Sequence, residues 1–492
     1  MCGIWGYVGN EPIGVENAWD GLCALTDRGP DAWGMYVEGS GRVTDRRSVS
    51  VDSSDVVLGN RRLSILDLSP AGTQPVEFDG SWIVYNGEVY NYREIRDDLR
   101  ELGHEFTSNS DTEVILHAYA EYGSACVERL RGMFSFVIYN TESEQIFAAR
   151  DRFGIKPFYY SQSDGRFAFA SEVTSLLDGD IVDRKLDPVS VDGFLALGYV
   201  PGSRTIIDGV RSLPPASTLT YDRSTGDTEI EQYWRPSFDH QDHDGDLRSL
   251  LEESISLRLR SDVPVGAFLS GGLDSSTIVA MMRELSDDNR EDLHTFSVGF
   301  ESEAFDESSF AETVAEQFET DHTSKVVDPA DIREHLGDII ASMDQPTIDG
   351  VNTYFVSQAA ADAGLKVTLS GLGSDELFFG YPTFDSVSRR YRAAKYLHSI
   401  PQPLRDIGGR LLSRYGETIG PSTLEAAGDA VSAKSAFGAA YLSARGLFSK
   451  RSRSRLLPET TRVDWDERIG KSVMNQLGVT DDRNVVSQAE LT

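Results

Sequence analysis

Three short segments combine residue types and spacings that can do chemistry. The first is the start, Met1-Cys2-Gly3-Ile4. Removal of Met1 leaves Cys2 with a thiol and a free α-amine, a nucleophile and a base for its proton on one residue. Taken alone, Cys2 reads equally as a small buried thiol in a first strand. The second segment is Ser270-Gly271-Gly272-Leu273-Asp274-Ser275-Ser276. Its glycines let backbone N–H groups approach an anion, a following helix adds its N-terminal dipole, and the serines add donors. Asp274 can hold Mg²⁺ against phosphate oxygens. The third, Ser370-Gly371-Leu372-Gly373-Ser374-Asp375-Glu376, repeats the strategy and makes Asp375 a second candidate magnesium ligand.

These loops need strands and helices to hold them. Residues 263–269 read as a buried strand, and residues 275–285 as the helix that follows the first Gly-rich loop. Residues 293–298 form a second strand. A helix over residues 352–363 stops at Gly364, and residues 365–369 form a third strand opening onto the second loop. Alternating strands and helices predict a parallel, doubly wound α/β sheet with ligands beyond the carboxyl ends of its strands. The first half reads differently, as short strands with turns and occasional helices, an α+β pattern to about residue 220. Residues 81–85 are a strand, with Asn86-Gly87 after it as a turn signal. Residues 133–139 and 145–149 form a strand pair, and Asp111 caps a helix reaching Tyr122. The division expected is a first domain over residues 1–220, a linker over 221–246 that includes the acidic stretch from Pro236 to Asp246, and a second domain over 247–492.

Bulk composition removes other classes. Asp and Glu total 79 against 46 Lys and Arg, a net charge of −33, and only 8 of the 46 are Lys. A dispersed acidic surface poor in Lys suits a salt-rich, halophilic cytoplasm, where self-repulsion is screened. That balance argues against nucleic acid as a partner. No apolar run approaches membrane-spanning length, and no basic-then-apolar leader opens the chain, so a cytoplasmic protein without membrane partners is expected. Cys2, Cys23 and Cys126 do not make a disulfide framework or metal cluster.

The segment from Ser270 to Ser276 resembles the pyrophosphate loop of the ATP pyrophosphatase superfamily. The first half resembles a class II glutamine amidotransferase domain through Cys2-Gly3-Ile4, Arg28-Gly29-Pro30-Asp31, Arg62-Leu63-Ser64-Ile65, the segment from Asn86 to Asn91, and that from Arg150 to Pro157. Together, in this order, they resemble the glutamine-hydrolysing asparagine synthetase family. The resemblance implies a four-layer αββα domain of the N-terminal nucleophile type, followed by the α/β nucleotide-binding domain with a helical extension. It implies that Cys2 attacks the glutamine side-chain amide, and that Asn86 and the Gly87 N–H form an oxyanion hole. Arg62, with Leu63, Ser64 and Ile65 beside it, would meet the glutamine α-carboxylate, and Glu88 and Asp111 its α-ammonium. Phe268, Val298, Ser370 and Gly371 would meet ATP together with the loop from Ser270 to Ser276. The implied reaction uses ATP and Mg²⁺ to convert a carboxylate, aspartate in the family, to an amide through an acyl-adenylate, with AMP, pyrophosphate and glutamate as side products. A homodimer is implied by the resemblance alone.

Three departures from the family pattern stand out, the first near the glutamine site and the others in the second half. Asp27 stands where the amidotransferase domain often has His before Arg28. Leu372 stands where known asparagine synthetases carry a catalytic Glu, and Leu cannot transfer a proton. A branch of similar proteins has Leu in this turn together with a segment of the type Asp344-Gln345-Pro346. After Tyr381 no Asp-Met-Glu-Arg-Pro-type segment is found. Three readings follow: aspartate as acceptor, another carboxylate such as a uronic acid, or a glutaminase or regulatory protein with an inactive second half.

Overall fold

The structure, a computed structural model, describes residues 1–236, 246–286, 293–300, 308–419, 422–458, 461 and 463–476. Most of the acidic stretch between the halves, residues 237–245, lies outside the described residues, as do Asp287-Asp288 and Asp481-Asp482.

Strands with alternating side chains must bury two different faces. On strand Gly3–Gly14, Ile4 and Val8 face one way, Trp5 and Tyr7 the other. Ile4 and Val8 join Val56, Leu58, Val84 and Val137 in a core between two antiparallel sheets, one of seven strands and one of six. Trp5 and Tyr7 pack with Ala18, Leu22 and Leu176 from helices Val15–Cys23 and Val173–Asp178 on the outer face of the first sheet. Ile83 and Tyr85 pack with Ile95, Leu99, Val114 and Ala118 from helices Tyr92–Glu101 and Asp111–Tyr122 on the outer face of the second. Helices, sheet, sheet and helices thus give the four layers. The last strand of the second sheet, Thr228–Gln232, pairs with Ser217–Asp222.

The second half is built on four parallel strands in the order Asp321–Val327, His294–Phe300, Val265–Phe268, Val367–Leu369. Both faces are covered. Ala267 and Leu269 pack with Val279, Met282 and Ala311 on one side, and Phe296 with Ala359 and Ala360 on the other. Helices from Pro382–Leu397 to Trp465–Gln476 follow. They dock on the first half through the buried Asp192. Its carboxylate accepts the Val463 N–H and the Trp465 indole N–H, both at 2.9 Å, and pairs with Arg453. Among the described residues no helix is long and apolar enough to cross a membrane.

Two local expectations are corrected. Asn86-Gly87 is no turn. It lies inside strand Ser81–Val89, opposite Ser135 and Phe134. A Cβ on Gly87 would sit 2.2 Å from the Met133 carbonyl oxygen, so glycine is there to let the neighbouring strand approach. Asp111 does not cap its helix either. Ser110 does, accepting the Thr112 N–H at 3.2 Å, which frees the Asp111 carboxylate to face the sheet.

Candidate active site

The site arises where the inward faces of three strands turn from apolar to polar at the same end. Val56 and Leu58 are followed on one face by Asn60 and Arg62, Val84 by Asn86 and Glu88, and Ile4 is preceded by Cys2. Asn60, fully buried, ties two of these strands together. Its amide donates to Gly3 O (3.4 Å) and Tyr85 O (3.2 Å), which holds Cys2 and Asn86, the residues next to each, side by side.

The Leu63 N–H donates to Cys2 Sγ at 3.4 Å, and the thiol reaches Leu63 O at 3.7 Å. Burial pushes the Cys2 thiol pKa up, while the Leu63 contact and the chain's terminal amine pull it back. That amine, here on Met1, is lowered to about 6, by burial first and then by Arg28 and Lys156, so it is uncharged at neutral pH and able to take a proton. Asn86 is wholly buried, yet its Oδ1 and Nδ2 have no hydrogen-bond partner. Such a group is costly to bury and calls for a ligand or a transient charge to satisfy it.

Glu88 and Asp111 make a wall of two carboxyl groups. Asp111 Oδ2 accepts the Tyr85 hydroxyl (2.8 Å) and the Val89 N–H (3.0 Å), and burial raises its pKa. Burial, then Asp111, raises Glu88 to about 7. Arg62 is buried and donates to Ser69 O (2.9 Å), Leu66 O (3.2 Å) and Asp67 O, closing the loop that follows Ile65. Its terminal nitrogens therefore shape that loop, where NH1 also lies 3.4 Å from Thr73 Oγ1. Ser64 contributes its N–H to Asp31 Oδ2 at 2.7 Å, and Ile65 O accepts the Asp262 N–H at 3.0 Å.

Sequence reasoning missed Asn60, Lys156 and the role of Arg28. Arg28 Nε donates to Cys2 O at 3.1 Å and its NH1 pairs with Glu172 at 3.1 Å. Lys156 is buried, and burial lowers its pKa to about 8. It is set in place by Asp151, whose carboxylate accepts the N–H groups of Phe134, Phe153, Ile155 and Lys156. The signal for both lay in the quoted segments 28–31 and 150–157.

In the second half, strand Val265–Phe268 leads into the loop and helix Leu273–Leu285. Gly271 has φ +79°, and a Cβ there would lie 2.5 Å from the Ala311 nitrogen, so only glycine fits. The loop is braced by Ser270 and Ser275, whose hydroxyls are 3.1 Å apart, and by the Gly272 N–H donating to Ser270 Oγ at 3.3 Å. Ser276 Oγ is buried with no partner, an orphan donor beside the first turn of the helix. Gly371 lies against Asp274 and the Ser275 nitrogen, which brings the two Gly-rich loops into one site. The exposed Leu372 donates its N–H to Ser370 Oγ at 3.2 Å. These features fit a triphosphate. Asp274 stands in the first turn of its helix, and Asp375 in the first turn of Ser374–Phe378. Among the described residues no group of three or more metal-ligating side chains occurs, so a magnesium ion here would need phosphate oxygens to complete its shell. The side chains of Phe268 and Val298 pack against the helices covering the sheet.

Residues 1–234 match the family described as glutamine amidotransferase domain, and residues 246–472 that described as asparagine synthase. Asparagine synthetase [glutamine-hydrolyzing] 1 of Bacillus subtilis is 34% identical over 419 residues, 82% of this chain and 62% of its own length. Putative asparagine synthetase [glutamine-hydrolyzing] 2 of Methanocaldococcus jannaschii is 35% identical over 439 residues, covering 84% of this chain and 81% of its own. Amidase chry2 of Gibberella zeae is 30% identical over 427 residues, 79% of this chain and 61% of its own. The chain thus spans less than two thirds of the length of two of these relatives.

Proposed function

We propose, from the premise that this chain belongs to the glutamine-hydrolysing asparagine synthetase family, that it is an ATP-dependent ligase taking amide nitrogen from glutamine. The observation that carries the reading is Asn86, a fully buried amide with no partner, on the strand that Asn60 ties to the start of the chain at Gly3. After removal of Met1 the Cys2 α-amine takes the thiol proton and Sγ attacks the glutamine amide carbon. The oxyanion formed accepts hydrogen bonds from Asn86 Nδ2 and the Gly87 N–H. Ammonia leaves, and water releases glutamate from the thioester. Glu88 and Asp111 hold the α-ammonium and Arg62 the α-carboxylate.

ATP, as co-substrate with Mg²⁺, supplies the adenylyl group that activates the acceptor carboxylate and the charge neutralisation for the departing pyrophosphate. The chain's part is to hold the phosphates on the N–H groups and hydroxyls of residues 270–276, with Ser370 and Gly371 closing the site, and Asp274 and Asp375 are the carboxylates that would hold the metal. Ammonia passes within the protein, since free in water at neutral pH it would be protonated. The family points to aspartate as acceptor. A second reading keeps the chemistry and changes the acceptor. Leu372, exposed at the turn where a proton-transferring Glu would serve amide formation, favours it.

The test is a product assay in molar potassium chloride with glutamine, ATP, Mg²⁺ and aspartate. Asparagine formed in step with AMP, pyrophosphate and glutamate supports the first reading. Glutamate and AMP with another carboxylate but not with aspartate supports the second. Glutamate alone with every carboxylate sinks the ligase reading. Cys2→Ala should lower glutamine-dependent synthesis by more than about three orders of magnitude and spare synthesis from ammonium.

A further inference from the structure

A cavity of about 560 Å³ opens where the C-terminal helices meet the first half. Tyr199 comes from the first half, Glu376 and Tyr381 from the end of the second Gly-rich loop and just beyond, and Tyr441, Arg445 and Arg468 from the last helices. Glu376 and Tyr381 follow closely on the turn that carries Leu372, so one wall of the cavity is continuous with that turn. The cavity therefore lies at the junction of the halves, next to the helix that opens from the second Gly-rich loop. The Asp192 anchor to Arg453, Val463 and Trp465 fixes this junction.

The wall has a definite chemistry. Arg445 and Arg468 can meet a carboxylate or an attached anion, and a third cation, Arg204, is already paired with Asp187 at 2.6 Å. Among the described residues Glu376 is the one acid on the wall, and it lies near Tyr381. An amino-acid acceptor brings an ammonium that would have no other acid to meet. Tyr199, Tyr381, Phe384 and Tyr441 line the cavity with aromatic surface, and the tyrosine hydroxyls, those of Tyr199 and Tyr441 3.5 Å apart, together with those of Thr383 and Ser472 suit a ring rich in hydroxyl groups. The volume fits a ligand well above aspartate in size.

We propose that this cavity receives the acceptor and that the acceptor is a sugar acid, a carboxylate on a polyhydroxylated ring. The inference rests on the ligase reading. The acceptor carboxylate oxygen bonds to the α-phosphorus of ATP as the bond to pyrophosphate breaks. Ammonia adds to the carbonyl carbon, the carbon–oxygen bond to AMP breaks with its electron pair on AMP, and the surplus proton passes to water. The product is a sugar amide, with no change of oxidation state.

The test uses the full chain in molar potassium chloride with ammonium, ATP and Mg²⁺, and D-glucuronate, UDP-glucuronate or L-aspartate as probe. A free or nucleotide-linked sugar acid should support AMP and pyrophosphate release at least tenfold above aspartate, and which of the two does so identifies the carrier. Arg445→Ala, with its melting temperature unchanged, should raise the KM for that acceptor at least tenfold and leave the KM for ATP unmoved. Aspartate matching or exceeding both sugar acids overturns the proposal, as does an acceptor KM that neither Arg445→Ala nor Arg468→Ala alters. If no carboxylate yields AMP, the ligase reading has failed, and binding of the two sugar acids decides the cavity. Saturation-transfer NMR signals lost in Arg445→Ala uphold it, and absence of such signals in the wild type refutes it.

Discussion

Lys366 Nζ lies 2.7 Å from Asp31 Oδ2, and the same oxygen accepts the Ser64 N–H at 2.7 Å. One carboxylate thus joins the strand leading into Ser370 to the segment that sets Leu63 against Cys2. Burial pushes the Asp31 pKa up, but the Lys366 bond and the Ser64 N–H outweigh it and hold the group below the ordinary range. A depressed carboxylate adds stability that is present above its unfolded pKa and lost as pH falls through the folded one, so this joint is intact throughout the neutral range. Both side chains are partly exposed, which limits the pair to about 1 kcal/mol. Lys366→Ala should therefore raise the glutamine KM by at most about fivefold. Steady-state glutaminase assays at pH 7 check this, and an unchanged KM would show that the joint does not reach the glutamine site.

Asn86 offers a sharper separation of stability from activity. Its buried amide makes no hydrogen bond, so truncation removes a desolvated polar group rather than a contact. Asn86→Ala should leave the melting temperature level or slightly raised. The same change should lower glutaminase kcat by about 10²–10³, the scale for one oxyanion-hole donor, with little change in KM. A large fall in melting temperature with kcat preserved would assign Asn86 to the core instead.

Glu88 makes stability depend on pH. Its folded pKa is raised to about 7, by burial and then by Asp111, against an ordinary 4.5. Between those values the folded chain holds a proton that the unfolded chain has lost, so stability falls as pH rises from about 4.5 through about 7. The shift sets a scale of about 3 kcal/mol. Glu88→Gln removes this penalty. Urea midpoints at pH 5 and pH 8 should drop less for the variant than for the wild type, and equal drops would contradict the buried, protonated carboxyl.

What the sequence disclosed follows from how local each signal was. The strand, Gly-rich loop and helix from Val265 to Leu285 were legible because apolar run, glycines and helix start are contiguous. Cys2 was legible because its chemistry depends only on its place in the chain. Asn86-Gly87 looked like a turn because the same two residues serve a turn and a close strand approach, and only the Met133 carbonyl decides between them. Asp111 looked like a cap because nothing local reveals Tyr85 as its partner, 26 residues away. The cavity beside Tyr381 was invisible, since its walls come from segments as distant in the chain as Tyr199 and Tyr441.

Another relation no local signal reveals is that of Asp344, whose carboxylate accepts the Val173 N–H (2.8 Å), the Thr174 N–H (2.8 Å) and the Thr174 hydroxyl (3.0 Å). The next residue, Gln345, accepts the Ile206 N–H at 2.9 Å. Asp344 thereby fixes the start of helix Val173–Asp178, just after Glu172, and Glu172 holds Arg28, whose Nε donates to Cys2 O. A residue of the second half positions the nucleophile's own backbone through three contacts. Asp344→Ala strips a half-buried cap and should cost about 1–2 kcal/mol. If the relay positions Cys2, glutaminase kcat/KM should also fall about tenfold, since small displacements of an attacking group are costly. The pH dependence of iodoacetamide alkylation at Cys2 should shift with it, a readout that simple loss of stability does not move. A destabilised variant with wild-type alkylation and kcat/KM would confine Asp344 to holding the two halves together.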